Sequence, residues 1–319
     1  MKKAVLIYNP ASGQKRARRA EKIARAAEVL RAAGVEAEAC ATTSAGSAIR
    51  QTQQALAAGA DTIIACGGDG TVNEVLNGLM LLGAGGATLG VIPLGSGNLL
   101  ATDLRLPRDP EAAARALLAY QPRELHPGVI SYETKHGPEK RWLIVAAGVG
   151  ADAELMYRTP AGVKERYGIY AYFLGMARMT FSHHFPMFHV EWLGDDGARR
   201  SETVAMVLCT RANKFPGLLR RVRLGGALAR NDYRLMIFRT NKVRHFLNFF
   251  ASVVSGWNWK VPQVELAYST WFRCTPLQSG AAVAIHSEAD GELLGTLPVE
   301  VAIEARTFRL LMPESAISK

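Results

Sequence analysis

Two glycine turns that carry carboxylates are the places in this chain where residue types and spacing could do chemistry. In "GGDGTVNE", residues 67–74, Asp69 stands in a turn that follows an apolar run (Ile63, Ile64, Ala65). The turn opens into helical spacing at Val72, Val75, Leu76 and Leu79. Such a turn ordinarily offers an anion its backbone N–H groups and a helix N-terminus. A carboxylate there repels a phosphate at close range unless a cation lies between them, so the turn implies a metal-bridged nucleotide. Further on, "EADGELLG", residues 288–295, sets Asp290 beside Glu292 between two strand-like runs. Asp-Gly by itself signals a hairpin. The two acids together would form a carboxylate pair on a loop of the second half of the chain, able to face a crevice in the first.

Two more turns belong with these. "YNPASGQ", residues 8–14, runs a strand into a turn where backbone amides and Asn9 can reach a ligand. "VIPLGSGNLLATDL", residues 91–104, repeats the order strand, glycine turn, helix. No turn carries the G-K-[ST] of a Walker loop, Asn73 stands where a dinucleotide fingerprint needs its third glycine, and G-x-S-x-G is not matched, which discounts hydrolysis by a nucleophile elbow.

The elements that must position these turns follow from periodicity. Apolar runs at 4–8, 35–41, 61–66 and 88–93 alternate with helical patterns at 15–33, 46–58, 71–82, 98–104 and 110–120. This alternation predicts a parallel sheet with helices on both faces, in which turns at the carboxyl ends of successive strands flank one crevice. From about residue 126 the texture changes to strand-like runs with short turns, interrupted by helical patterns near 162–180 and 243–256. The expectation is an α/β domain over 1–125 and a mainly antiparallel β-domain over 126–319.

Composition narrows the class. The chain has 319 residues, 49% of them apolar, enough for two domains with sizeable cores. Cys40, Cys66, Cys209 and Cys274 lie far apart with no C-x-x-C pair, which fits a reducing, cytoplasmic setting and excludes a zinc ribbon or disulfide scaffold. The apolar run after the first lysines is too short for a signal peptide. Residues 75–102 carry no charge, but glycines and Pro93 break them into helix end, strand and turn. The formal charge of +10 suits an anionic partner, and Lys15, Arg16, Arg18, Arg19, Lys22, Arg25 and Arg31 share one predicted helix. That helix is either a solvated face, a phosphate-steering group, or an attachment to anionic membrane at ~1 kcal/mol per basic residue. No helix-turn-helix, zinc-finger or RNP signature points to nucleic acid.

The combination N-P-x-S-G, G-G-D-G-T-x-N-E, P-L-G-[ST]-x-N and a late D-G-E, in this order over almost the whole chain, resembles the diacylglycerol kinase catalytic family, which includes bacterial soluble lipid kinases, sphingosine kinases and ceramide kinase. G-G-D-G-T alone is shared with NAD kinases. The resemblance implies an NAD kinase/diacylglycerol kinase-like fold and Mg²⁺-dependent transfer of the γ-phosphoryl group of ATP to a lipid hydroxyl. It assigns ATP contacts to Asn9, Pro10, Ala11, Ser12 and Gly13, to Thr42, to Gly67, Gly68, Asp69, Gly70, Thr71, Val72 and Asn73, to Ser96, and to Lys164 in "VKERYGIYAY". It gives the catalytic magnesium to Asp69 and proton acceptance to Glu292, with Asp290 beside it. Two departures stand out. Leu99 occupies the place of a family aspartate, and in "RNDYRL" Asn231 stands at the aspartate and Asp232 at the glycine of a turn, followed by Tyr233, where some members hold a structural Mg²⁺. That ion is in question.

A lipid kinase must also meet a bilayer. "VRHFLNFFASVVSGWNWKV", residues 243–261, is apolar all round with Arg244, His245 and Lys260, and reads either as a core helix or as an acyl-pocket wall or interfacial anchor. The expected partners are ATP, a lipid and the inner membrane surface, with pairing of two copies through open sheet edges. The alternatives are a kinase of a soluble dinucleotide or sugar and a silent lipid-binding module.

Overall fold

A computed structural model describes residues 1–10, 18–83, 86–95, 97–158, 185–212, 228, 230–255, 261–277 and 284–314. The chain forms two compact units, one of residues 1–127 with 304–319 and one of residues 128–303.

In the first unit, β1 (Lys3–Tyr8), β2 (Glu36–Ala41), β3 (Thr62–Gly67) and β4 (Thr88–Pro93) are parallel. Every residue of β3 and β4 is buried, as expected of parallel strands covered on both faces. The strands alternate with α1 (Arg19–Ala32), α2 (Ser47–Ala57), α3 (Asp69–Leu81), α4 (Leu99–Asp103) and α5 (Pro110–Ala119). Helix α1 packs on α5 and α2 on α3, forming two helical layers. Local chemistry fixes the ends: Asp109 caps α5 by accepting the Ala112 N–H at 3.0 Å, with Pro110 at the first helical position.

The sheet order is β2-β1-β3-β4-β17-β5, where β5 is Gln121–Leu125 and β17 is Phe308–Met312. This corrects the assignment of everything beyond residue 126 to the second unit. After Ile303 the chain returns to the first unit and inserts β17 parallel to β4 and antiparallel to β5. An apolar strand does not state its partner, and Phe308, Leu310, Leu311 and Met312 are buried where β4 alone would leave an open edge.

The second unit is an antiparallel sheet in the order β10-β9-β14-β16-β15-β8-β11-β12-β13, with β6 on β16 and β7 on β6. Its strands are β6 (Gly128–Thr134), β7 (Gly137–Leu143), β8 (Ala146–Gly150), β9 (Phe188–Leu193), β10 (Arg199–Val204), β11 (Met206–Thr210), β12 (Tyr233–Phe238), β13 (Val264–Ser269), β14 (Trp271–Pro276), β15 (His286–Ala289) and β16 (Glu292–Ile303). Helix α6 (Ala151–Arg158) follows β8, and α7 (Val243–Ser255) follows β12. Alternation on β11 and β12 sends Val207, Cys209, Leu235 and Ile237 into one core and Met206, Met236 and Phe238 into another. The second core is closed by Phe246 and Phe249 of α7, with the Phe238 and Phe246 rings stacked at 4.9 Å. These two residues of the 243–261 segment are core. The pattern near 162–180 lies outside the described residues, and no described helix is long and apolar enough to cross a membrane.

Candidate functional site

In the first unit the turns gather at the carboxyl ends of the strands. Strand order reverses between β1 and β3, the place where open α/β sheets bind ligands. The Asn9 N–H donates to the Cys66 carbonyl at 3.2 Å, stitching these two strand ends together, and the Thr42 N–H donates to Tyr8 at 2.8 Å, adding the end of β2. Arg19, read from sequence as one of several surface bases, is buried instead, its Nη1 3.5 Å from the Asn9 carbonyl. Burial of its stem explains how a base on a solvated helix can belong to the strand ends.

The two glycine turns touch. Leu94 N–H donates to the Gly67 carbonyl at 2.8 Å. A Cβ added at Gly95 would sit 2.5 Å from the Gly68 Cα and 2.9 Å from Asn98 Oδ1, and one at Gly97 would sit 3.1 Å from Asp69 Oδ2. The glycines are therefore required by proximity of backbone to backbone and of backbone to the Asp69 carboxylate. Asn98, at φ 54, locks the second turn by accepting the Gly95 N–H at 3.0 Å and donating to the Gly95 carbonyl at 2.6 Å. Helix α3 begins at Asp69 with Gly68 as its extended N-cap, so the amides of its first turn point out of the helix end. Thr71, Val72 and Asn73 are buried in that turn. Glu74 reaches away to accept the Gly46 and Ala48 N–H groups at 2.9 and 3.1 Å, capping α2. Leu99 opens α4. Ala11, Ser12, Gly13, Ser96 and Lys164 lie outside the described residues.

In the second unit, the D-G-E turn joins β15 to β16. Asp290, at φ 47 and 5% exposed, accepts the N–H groups of Ile144, Val145 and Ala146 at 2.9, 2.8 and 3.0 Å. Its carboxylate thus closes the break between β7 and β8. Glu292 is more open, and its Oε2 lies 2.6 Å from Arg141 Nη2 on β7. Tyr132 donates to Glu139 at 3.1 Å beside this pair, and burial with that bond pushes its phenol up to about 12. Sequence reasoning missed Arg141, which is distant from Glu292 in the chain and meets it only in the folded second unit.

At the doubtful metal turn, Arg230 donates through Nε and Nη2 to the two Asp232 oxygens at 2.8 and 2.5 Å, while buried Arg211 donates to the Arg230 carbonyl. Tyr233 is buried in the core. A guanidinium already meets the acid here, so these residues do not fit a structural Mg²⁺. Among the described residues, no group of three or more His, Cys, Asp or Glu is arranged to hold a metal ion.

A parallel sheet with paired glycine turns, joined to an antiparallel β unit, defines the NAD kinase/diacylglycerol kinase-like class of two-unit proteins. A putative diacylglycerol kinase from Bacillus anthracis str. Sterne shares this fold at TM-score 0.72 and 19% identity over 99% of this chain and 98% of that one. Yeast NADH kinase complexed with NADH shares it at TM-score 0.55 and 10% identity over 98% and 84%. The family model of the diacylglycerol kinase catalytic domain matches residues 3–130. A diacylglycerol kinase of Bacillus subtilis (strain 168) is 29% identical over 315 residues, covering 98% of this chain and 97% of that protein. A probable lipid kinase YegS-like protein of Xanthomonas campestris pv. campestris (strain 8004) is 32% identical over 214 residues, covering 62% and 67%. The chain belongs to the diacylglycerol kinase catalytic family.

Proposed function

We propose that this chain is a lipid kinase that transfers the γ-phosphoryl group of ATP to the hydroxyl of a membrane lipid such as diacylglycerol. The observation that carries this reading is the contact of two glycine turns beside a carboxylate at the first residue of α3. A backbone cradle too close for any Cβ fits phosphate oxygens, and Asp69 beside it fits a cation shared with them. Asp69 would hold a magnesium ion there, and its charge would offset that of the phosphates. The free amides at the start of α3 would hold the phosphates, with Gly67, Gly68, Gly70, Thr71, Val72 and Asn73 forming the cradle around Asp69, and Asn9, Pro10 and Thr42 would border the nucleotide from neighbouring strand ends. Ala11, Ser12, Gly13, Ser96 and Lys164 complete the nucleotide contacts in this reading.

In the reaction, the lipid oxygen forms a bond to the γ-phosphorus, the bond from that phosphorus to the β–γ bridging oxygen breaks, and ADP leaves. The hydroxyl proton passes to Glu292, which Arg141 orients. Asp290 supports the step by holding the turn, because three backbone N–H groups already occupy its carboxylate. The basic balance of the chain supports a peripheral encounter with the anionic inner face of the membrane, in the cytoplasm, and a homodimer through sheet edges is part of the same proposal.

Incubating the full chain with γ-labelled ATP, Mg²⁺ and micelles of diacylglycerol or sphingosine, or with NAD, tests the reading. Label in lipid is the expected result. Label in NAD alone assigns the chain to soluble-substrate kinases, and calorimetry without ATP binding assigns it to silent lipid binders.

A further inference from the structure

The second unit holds a pair of acids that the reaction above does not use. Glu288 and Asp152 are each 4% exposed, and their carboxyl groups are hydrogen-bonded to one another. Their meeting follows from local geometry. Gly150, at φ 86, turns the chain sharply after β8, so the first turn of α6 folds back over its own strand. In the β15–β8 ladder Glu288 stands opposite Gly148. A Cβ at Gly148 would overlap Asp152 Oδ2 and lie 3.0 Å from Glu288 Oε1, so the missing side chain is the space the two acids fill.

Two carboxylates in such contact cannot both ionise inside a protein. Burial, then the Asp152 charge, pushes the Glu288 carboxyl well above the ordinary carboxylate range. Asp152 sits in the first turn of α6, where a helix end favours negative charge, so the shared proton belongs to Glu288. Among the described residues, the other titratable groups near Glu288 are the Asp290 carboxylate and the Cys209 thiol of β11, while on β15 itself His286 pairs with Glu154 at 3.5 Å and stacks on Tyr157. On β16 the neighbouring acid is Glu292, engaged by Arg141. The second oxygen of Glu288, Oε2, accepts the N–H of Gly291 at 3.0 Å. Gly291 is the residue immediately before Glu292.

We propose that Glu288 is a positioning residue for phosphoryl transfer: held against Asp152 and accepting the Gly291 N–H, it fixes the Gly291 peptide and thereby the direction in which Glu292 leaves its turn. This rests on the reading of Glu292 as proton acceptor. A carboxyl group raised in the fold contributes stability that is complete below its unfolded value, about 4.3, and is lost as pH rises through the folded value. Rising pH above that unfolded value therefore loosens the turn. Glu288→Gln keeps a donor for Asp152 and an acceptor for Gly291 without an ionisable group.

The test follows melting temperature, kcat and KM of the full chain as pH is raised from about 4.3 upward for wild type, Glu288→Gln and Glu288→Ala. The wild type is expected to lose melting temperature and kcat as pH rises, and Glu288→Gln to lose much less of either. Glu288→Ala is expected to lower kcat about tenfold or more with KM within about twofold, and Glu288→Gln to restore it. If the alanine variant does not fold, the glutamine variant carries the comparison. A pH dependence in Glu288→Gln identical to wild type overturns the proposal, and so do altered melting profiles with unaltered kcat profiles, which would leave only a structural acid pair. Absence of lipid phosphorylation by the wild type contradicts the kinase reading instead, and the melting comparison still decides whether the acid pair exists.

Discussion

Arg141 Nη2 on β7 lies 2.6 Å from Glu292 Oε2 at the head of β16, a contact between strands joined only through β6. It gives the proposed proton acceptor one orientation. Arg141→Met is expected to lower kcat by ~10- to ~100-fold through misplacement of that carboxylate, leaving KM for ATP unchanged. Steady-state kinetics checks this, and an unchanged kcat would remove Arg141 from the reaction.

Asp69 is the first residue of α3, so its charge also favours the helix end by about 1 kcal/mol at most. Asp69→Ala is expected to keep the fold while losing magnesium-dependent ATP binding. Calorimetric titration of ATP with and without Mg²⁺, next to a melting curve, separates the two effects. ATP binding equal to wild type would remove the metal role.

Gly95 stands against Gly68 with no room between them, since its Cβ would lie 2.5 Å from the Gly68 Cα. Gly95→Ala must part the two turns, at about 1–3 kcal/mol of stability. Its expected signature is an ATP affinity lower by about tenfold or more in a chain that still folds. Wild-type affinity would show that the turns do not act together.

Asp290 predicts a stability effect in place of a chemical one. Asp290→Ala removes the acceptor of three backbone N–H groups at a buried junction, which should cost about 3–5 kcal/mol in denaturant unfolding. Asp290→Gly tolerates the φ of 47 yet lacks the carboxylate, so it should fall equally far. If the glycine variant is stable, backbone conformation and not the carboxylate holds the junction.

Legibility in the sequence followed the range of the interactions. The elements β1 to β4 and α1 to α5 and the turns at Gly67–Asp69 and Gly95–Asn98 are set by neighbours in sequence, and their element types were readable. The strands β5 and β6 went unread: "QPREL" is mostly exposed and polar, and its partner β17 comes from the far end of the chain. From Trp142 to Gly150 the chain carries no charged residue, so nothing local marks the break at Ile144 and Val145 that Asp290 bonds across a separation of over a hundred residues. The Glu288–Asp152 pair was hidden for the same reason, because a ladder register and the absence of a side chain at Gly148 create it.

The most direct measurement is transfer of label from γ-labelled ATP to diacylglycerol in mixed micelles, compared among wild type, Asp69→Asn and Glu292→Gln. The account predicts Mg²⁺-dependent labelling of the lipid by the wild type and a loss of about 100-fold or more in each variant. No transfer by the folded wild type, or variants that label the lipid at its rate, would contradict it.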